Sequence, residues 1–335
     1  MSERPASGKR TFLFEALQLG GLWALAVAQP IYDLIARDAA FLSAARLDRA
    51  GLLALVATCS AAIPAALYLL IAAVGLGGEK RRRGFLAATL ALLTATLILQ
   101  SFSKVSLVGP WVVTGAALVI AAALGVLFER SAITRSFVSI LGCATVIVPA
   151  LFLTSPGPRS VLLPAAPHGR PVEIAPVPLV LVVFDELPSH ALIDENLDLR
   201  NDLFSTFGAF AAQAHWFRQT TTVAAHTNLA IPALLSGRYP PAERAAAPNL
   251  STFPDNLFTL VAETHDIQAR QQVSDLVPPR AKRPASESDG SATRLAADLV
   301  AVWLHRVLPT GWRGALPQVD STWGGFWRAP GIFGA

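Results

Sequence analysis

The sequence predicts an N-terminal bundle of about five transmembrane helices, followed by an extracytoplasmic α/β domain with a mainly parallel sheet. Two observations carry this. Of the 335 residues, 53% are hydrophobic and only 15% charged, against about 25% charged in ordinary soluble domains. The apolar residues crowd into the first 155 positions, whereas from residue 179 onward short Val-rich runs alternate with segments of helical spacing. Three regions follow: a membrane anchor at 1–154, a Pro-rich linker at 155–178 and an α/β domain at 179–335.

Five apolar stretches, near 11–30, 50–76, 84–103, 108–128 and 136–154, reach the roughly 20 residues that a helix needs to cross a bilayer. Glu15, Gln18 and Gln29 interrupt the first. A signal peptide is a poor description of it, because Glu15 splits the apolar region and no small-residue cleavage site follows. Basic residues cluster at Arg4, Lys9 and Arg10, at Lys80, Arg81, Arg82 and Arg83, and at Arg130 and Arg135. Positive residues mark cytoplasmic loops, so the expected protein is a multi-pass plasma- or inner-membrane protein. Its N-terminus is cytoplasmic and everything after residue 155 is outside. The net charge of +4 thus serves topology, which argues against a nucleic-acid partner and leaves membrane lipids as the expected contact. Cys59 and Cys143 both lie in apolar blocks, so the exported region has no disulfide framework. Few intramembrane charges beyond Glu15 argue against a transporter.

The linker repeats proline and reads as an extended spacer, with His168 a solvated residue within it. "LVLVVF", residues 179–184, is short, continuous and β-branched, as expected of a buried parallel strand. Residues 201–217 carry helical spacing and 216–223 reads as a second strand. The segment "HTNLAIPALLSGRYP" that follows reads as a helix stopped by Gly237, with Tyr239-Pro240 beyond. Further on, 255–263 reads as a helix, 267–273 as a strand and 294–308 as an amphipathic helix.

In parallel sheets, ligands collect beyond the carboxyl ends of strands. Asp185 and Glu186 stand at that place after "LVLVVF", as metal ligands or as caps of the helix that Pro188 opens. Thr227, in "HTNLAIPALLSGRYP", stands where a helix N-cap belongs. The same helix N-terminus would stabilise an alkoxide or a bound phosphate, and metal coordination would make the hydroxyl a nucleophile. His226 is the candidate base beside it, and His190 a weaker candidate for the same cleft. His215, His265 and His305 read as structural, and Thr220, Thr221 and Thr222 as strand and turn.

"PLVLVVFDELP" followed by "HTNLAIPALLSGRYP" resembles the N-terminal half of a sulfatase-like domain of the alkaline phosphatase superfamily. Lipoteichoic acid synthases and lipid A phosphoethanolamine transferases are similar in layout, with five membrane helices before such a domain and a Thr nucleophile. The resemblance implies Thr227 as nucleophile and Asp185, Glu186 and Thr227 around a divalent metal, Zn²⁺ or Mn²⁺ in preference to Ca²⁺. It implies an envelope lipid or glycan as substrate. No Cys stands at the nucleophile position, and Leu229 and Ile231 replace the Pro and Arg that sulfatases keep there, which favours phosphoryl-type transfer over sulfate chemistry. The downstream Asp-His pair of the family has no counterpart after Thr227, where His265-Asp266 reverses the order. Residues 179–335 supply about half of such a domain. Two expectations stay open: a membrane-bound hydrolase or transferase, or a catalytically inactive membrane-anchored protein that binds a partner.

Overall fold

The structure is a computed structural model. It describes residues 6–37, 40–103, 109–164, 172, 175, 177–184, 187–217, 219–240, 248–271, 274–278, 292–319, 323 and 325–327. Among the described residues, five long helices are apolar enough to cross a bilayer: α1 (Phe12–Arg37), α3 (Arg49–Gly77), α4 (Glu79–Phe102), α5 (Pro110–Arg130) and α6 (Ala132–Thr154). A short α2 (Ala40–Ala44) lies between the first two. All five expected spans are therefore present as helices.

Two of them contain a π-helical turn, Ala24–Ala28 in α1 and Thr58–Ala62 in α3. Pro30 and Pro64 follow these turns by two residues. Proline has no N–H to give a carbonyl one turn back, and such a carbonyl buried in a bundle needs another donor. In α1, the Ala26 carbonyl accepts from the amide of Gln100 on α4 and from Trp303 Nε1 at 3.1 Å. In α3, the Cys59 carbonyl accepts from Trp23 Nε1 of α1 at 2.8 Å. Local helix defects thus become interhelical joints.

Small residues set the α1–α6 crossing. A Cβ on Gly21 would stand 2.3 Å from the Leu141 carbonyl oxygen, and one on Gly142 would stand 3.1 Å from both Leu17 Cβ and its oxygen. Without a hydrophobic drive between helices in lipid, such close backbone approach is what holds them. Above this crossing the Tyr32 and Phe152 rings stack at 4.4 Å, and the Tyr32 hydroxyl bonds Ser60 Oγ at 2.6 Å.

At the basic end of the bundle, Glu15 is satisfied. Arg82 pairs with it through both terminal nitrogens, and the Tyr68 hydroxyl donates to it at 3.0 Å. Arg82 also holds Glu79 at 2.8 Å. A charge in the first span is costly unless paired, and here the basic run supplies the partner.

At the opposite end the helices carry a second layer. The Pro-rich stretch expected to be extended begins as a helix, α7 (Pro156–Leu162), with Gly157, Pro158 and Val161 buried. Prolines at 156 and 158 fall in the first turn, where no N–H partner is required. His168 lies outside the described residues. α7 packs with α1, α3 and α6, and Val161 joins Ile35, Phe41, Leu42, Leu52 and Phe152 in one core. Leu295 and Leu299 of the late amphipathic helix, α12 (Ala292–Val307), belong to that core too. Beyond α12, Thr310 Oγ and Arg313 Nη2 donate to the Ser103 carbonyl at 3.0 and 3.1 Å, and Trp312 meets Trp111 edge-on at 4.8 Å.

Between these, the described residues form the short helices α8 (Ser189–Leu192), α9 (Ser205–Ala211), α10 (Thr227–Ser236) and α11 (Leu257–Val261). No sheet occurs among the described residues. Isolated bridges between described residues join Ile193 to Leu199 (antiparallel) and Asn249 to Asp275 (parallel). Residues 179–184, expected as a buried strand, are all exposed, Val180 by 81%. The described parts of 216–223 and 267–273 form no strand either. An apolar run is buried as a parallel strand only when other strands flank it, and no described segment pairs with this one.

Candidate functional site

α10 begins one residue earlier than the sequence suggests. His226, not Thr227, is its N-cap, with extended backbone and no side-chain cap bond. The His226 carbonyl accepts from Leu229 and Ala230 N–H at 3.0 and 2.9 Å. Thr227 is the first helical residue and half-buried, whereas the His226 ring is exposed. The helix ends as read, at a left-handed Gly237 (φ +65°). Pro232, inside it, is fully buried with Ala233 and Leu235, so its ring serves as packing surface.

Thr227, Ile231 and Leu235 form one wall of a cavity of about 1080 Å³. Phe258 and Val261 of α11 form another, and residues of the 179–184 run a third. His265, Asp266 and Arg270 line it as well. The structure therefore brings Thr227 together with the run that leads into Asp185 and Glu186. Those two acidic residues lie outside the described residues. His190 and His215 are exposed and line no part of this cavity; His215 thus lacks the packed position its neighbour Trp216 suggests. Thr220 and Thr222 bond the carbonyls of Phe217 and Ala224, as turn residues do. His305 bonds the Pro317 carbonyl at 2.9 Å, a structural role as read.

Sequence reasoning missed His265, Asp266 and Arg270 as neighbours of Thr227. Nothing in their spacing announces it, since the approach is made by α10 packing on α11. An Asn256–Thr259 capping box starts α11, and Arg238 just beyond α10 bonds Asp255 at 3.1 Å. His265 has both ring nitrogens engaged, by the Thr264 hydroxyl at 2.8 Å and the Val177 carbonyl at 3.0 Å. Donation to a carbonyl puts a proton on Nε2, so Nδ1 is the acceptor of the Thr264 hydroxyl.

As a metal centre, the described part of this cavity has the Thr227 hydroxyl, the Asp266 carboxylate and the His265 ring among its lining. Among the described residues no three His, Cys, Asp or Glu side chains converge, and a catalytic metal wants about three protein ligands. The described residues do not by themselves form the metal site that the resemblance implies.

By the length and composition of its five long helices, the chain is a multi-pass membrane protein. No family model, curated protein or solved structure matches it.

Proposed function

We propose that the protein is a membrane-bound, sulfatase-like hydrolase or phosphoryl-type transferase, acting on an envelope lipid or glycan outside the membrane with Thr227 as nucleophile. One observation carries this reading: Thr227, first residue of its helix, lines the same cavity as the apolar run that ends at Asp185. The layout of five apolar helices before this region supports it, as does the sequence resemblance. In the proposed step, the Thr227 oxygen bonds to phosphorus while the bond from phosphorus to the leaving oxygen breaks. Water or an acceptor hydroxyl then takes the phosphoryl group from Thr227. Asp185 and Glu186 belong to this proposal as metal ligands, with Zn²⁺ or Mn²⁺ as the ion, and His226 as a base that its exposed ring leaves free to turn inward.

The test uses the full chain in lipid vesicles with a phospholipid substrate and added Zn²⁺ or Mn²⁺. Trapping and peptide mass analysis should find a substrate-derived phosphoryl group on the peptide containing Thr227, absent in Thr227→Ala. Turnover without any such adduct, or turnover surviving Thr227→Ala, overturns the reading.

A second reading has its own observation. Six apolar side chains at 179–184 lie exposed in one stretch, the sort of patch that marks a protein contact. On that reading the region is a catalytically inactive binding module, and neither Thr227→Ala nor Asp185→Ala changes metal content or turnover.

A further inference from the structure

A second cavity, of about 1710 Å³, opens at the basic end of the bundle between α1, α4, α5 and α6. It is remote from Thr227 and independent of the reading given for it. Its polar wall includes Gln18, only 4% exposed, whose Nε2 donates to the Arg135 carbonyl at 3.1 Å and to Ser139 Oγ at 2.8 Å. Among the described residues the Gln18 oxygen has no hydrogen-bond donor.

The charges of this wall are unevenly committed. Glu15 and Glu79 are engaged by Arg82. Arg83 reaches Glu79 through Nε, leaving its terminal nitrogens. Arg135 directs Nη1 to the carbonyls of Phe128 and Glu129. Lys80 has no acceptor among the described residues. Against these donors stands one unengaged lining carboxylate, Glu129. Arginine and lysine heads present donors only, so the cavity has an excess of donors and room for acceptor oxygens. Phe14, Phe128 and Ile140 supply apolar wall beside them, and the Phe14 and Ile140 side chains are exposed. The cavity stands where helix ends meet the membrane boundary, with charged heads above and apolar surface below.

We propose that this cavity binds the phosphate of an anionic phospholipid, seated between Lys80, Arg83 and Arg135, with an acyl chain along Phe14 and Ile140. The apolar wall selects a lipid over free phosphate. The position selects the leaflet that basic residues face.

The experiment titrates the purified full chain in detergent with a short-chain phosphatidylglycerol. Phosphatidylcholine of equal chain length and inorganic phosphate serve as comparators, and binding is read by native mass spectrometry and by Tm. Saturable phosphatidylglycerol binding is expected, weakened about fivefold for each charge removed in Lys80→Gln and Arg83→Gln. Gly84 lines the cavity beside Lys80 and Arg83, and a Cβ there meets nothing within 4 Å, so Gly84→Leu obstructs the proposed phosphate seat from a position with open space at its Cβ. It should abolish binding while leaving Tm without lipid unchanged or higher. Equal binding of phosphatidylcholine, full competition by phosphate alone, or undiminished binding in Gly84→Leu overturns the proposal. The last outcome would reduce the effect to surface attraction.

Discussion

Trp303 donates its indole N–H to the carbonyl of Ala26 at 3.1 Å, across 277 positions of sequence. Pro30 makes that bond available, because the residue one helical turn on has no N–H to offer. The late amphipathic helix is thereby fixed to the first membrane helix. Its buried Asp298, 1% exposed, in turn accepts the backbone N–H groups of Gly325 and Phe326 at 3.1 and 3.2 Å.

Trp303→Phe should therefore lower stability by about 1 kcal/mol through the lost bond. Pro30→Ala restores a backbone donor for Ala26, so the cost of Trp303→Phe should shrink in that background. Thermal unfolding of both single variants and the double variant measures the coupling. Equal costs in the two backgrounds would contradict the role assigned to Pro30.

The Gly21–Leu141 approach predicts a sharp positional contrast. Gly21→Ala must separate α1 from α6 and should cost more than about 2 kcal/mol, as overpacking does. A Cβ at Gly115 would meet nothing within 4 Å, and Gly115→Ala should be neutral or stabilising by up to about 1 kcal/mol. Heating in detergent followed by size-exclusion chromatography reports both.

Removing one side of the Glu15–Arg82 pair leaves a charge part-buried among apolar helices. Glu15→Ala is expected to destabilise by up to about 3 kcal/mol, moderated because Arg82 keeps Glu79. Replacing both partners with leucine should cost less than Glu15→Ala alone. A double variant worse than the single one would argue against an uncompensated charge as the cause.

His226 occupies a cap position without making a cap bond. His226→Asp should supply one and raise stability by about 1 kcal/mol. Thr227→Ala, one residue inside, removes the hydroxyl and leaves the helix former alanine in its place, and its melting curve is to be recorded beside its turnover. Loss of turnover in that variant, with an unchanged melting curve, then reports chemistry and not unfolding.

Orientation is testable with single cysteines introduced after Cys59 and Cys143 are replaced by serine. Ser131→Cys, at the basic end, should react with a membrane-impermeant maleimide only after permeabilisation. Thr310→Cys, at the opposite end, should react in intact cells. The reverse pattern would place the Thr227 cavity in the cytoplasm.

The membrane helices were legible in the sequence because a bilayer demands some 20 apolar residues in a row, a local property that composition records. α10 and its Gly237 stop were legible for a similar reason: caps and left-handed glycines are decided within a few residues. The boundary moved by one, from Thr227 to His226, because both residues have a backbone able to start the helix and only the surrounding contacts choose between them. The start of the Pro-rich linker misled, since proline opposes a helix everywhere except in its first turn, where Pro156 and Pro158 fall. The run 179–184 misled differently. β-branching states a preference for strand, but a strand exists only with a partner, and partners are non-local.

By itself, then, the sequence determined the five spans, their alternation with basic loops and the Thr-led helix. Only the tertiary structure decided that Arg82 neutralises Glu15, that Trp303 takes the carbonyl Pro30 leaves open, and that His265 and Asp266 share a cavity with Thr227. Those pairings join residues tens to hundreds of positions apart. They depend on which helix faces meet, and no periodicity along the chain encodes that.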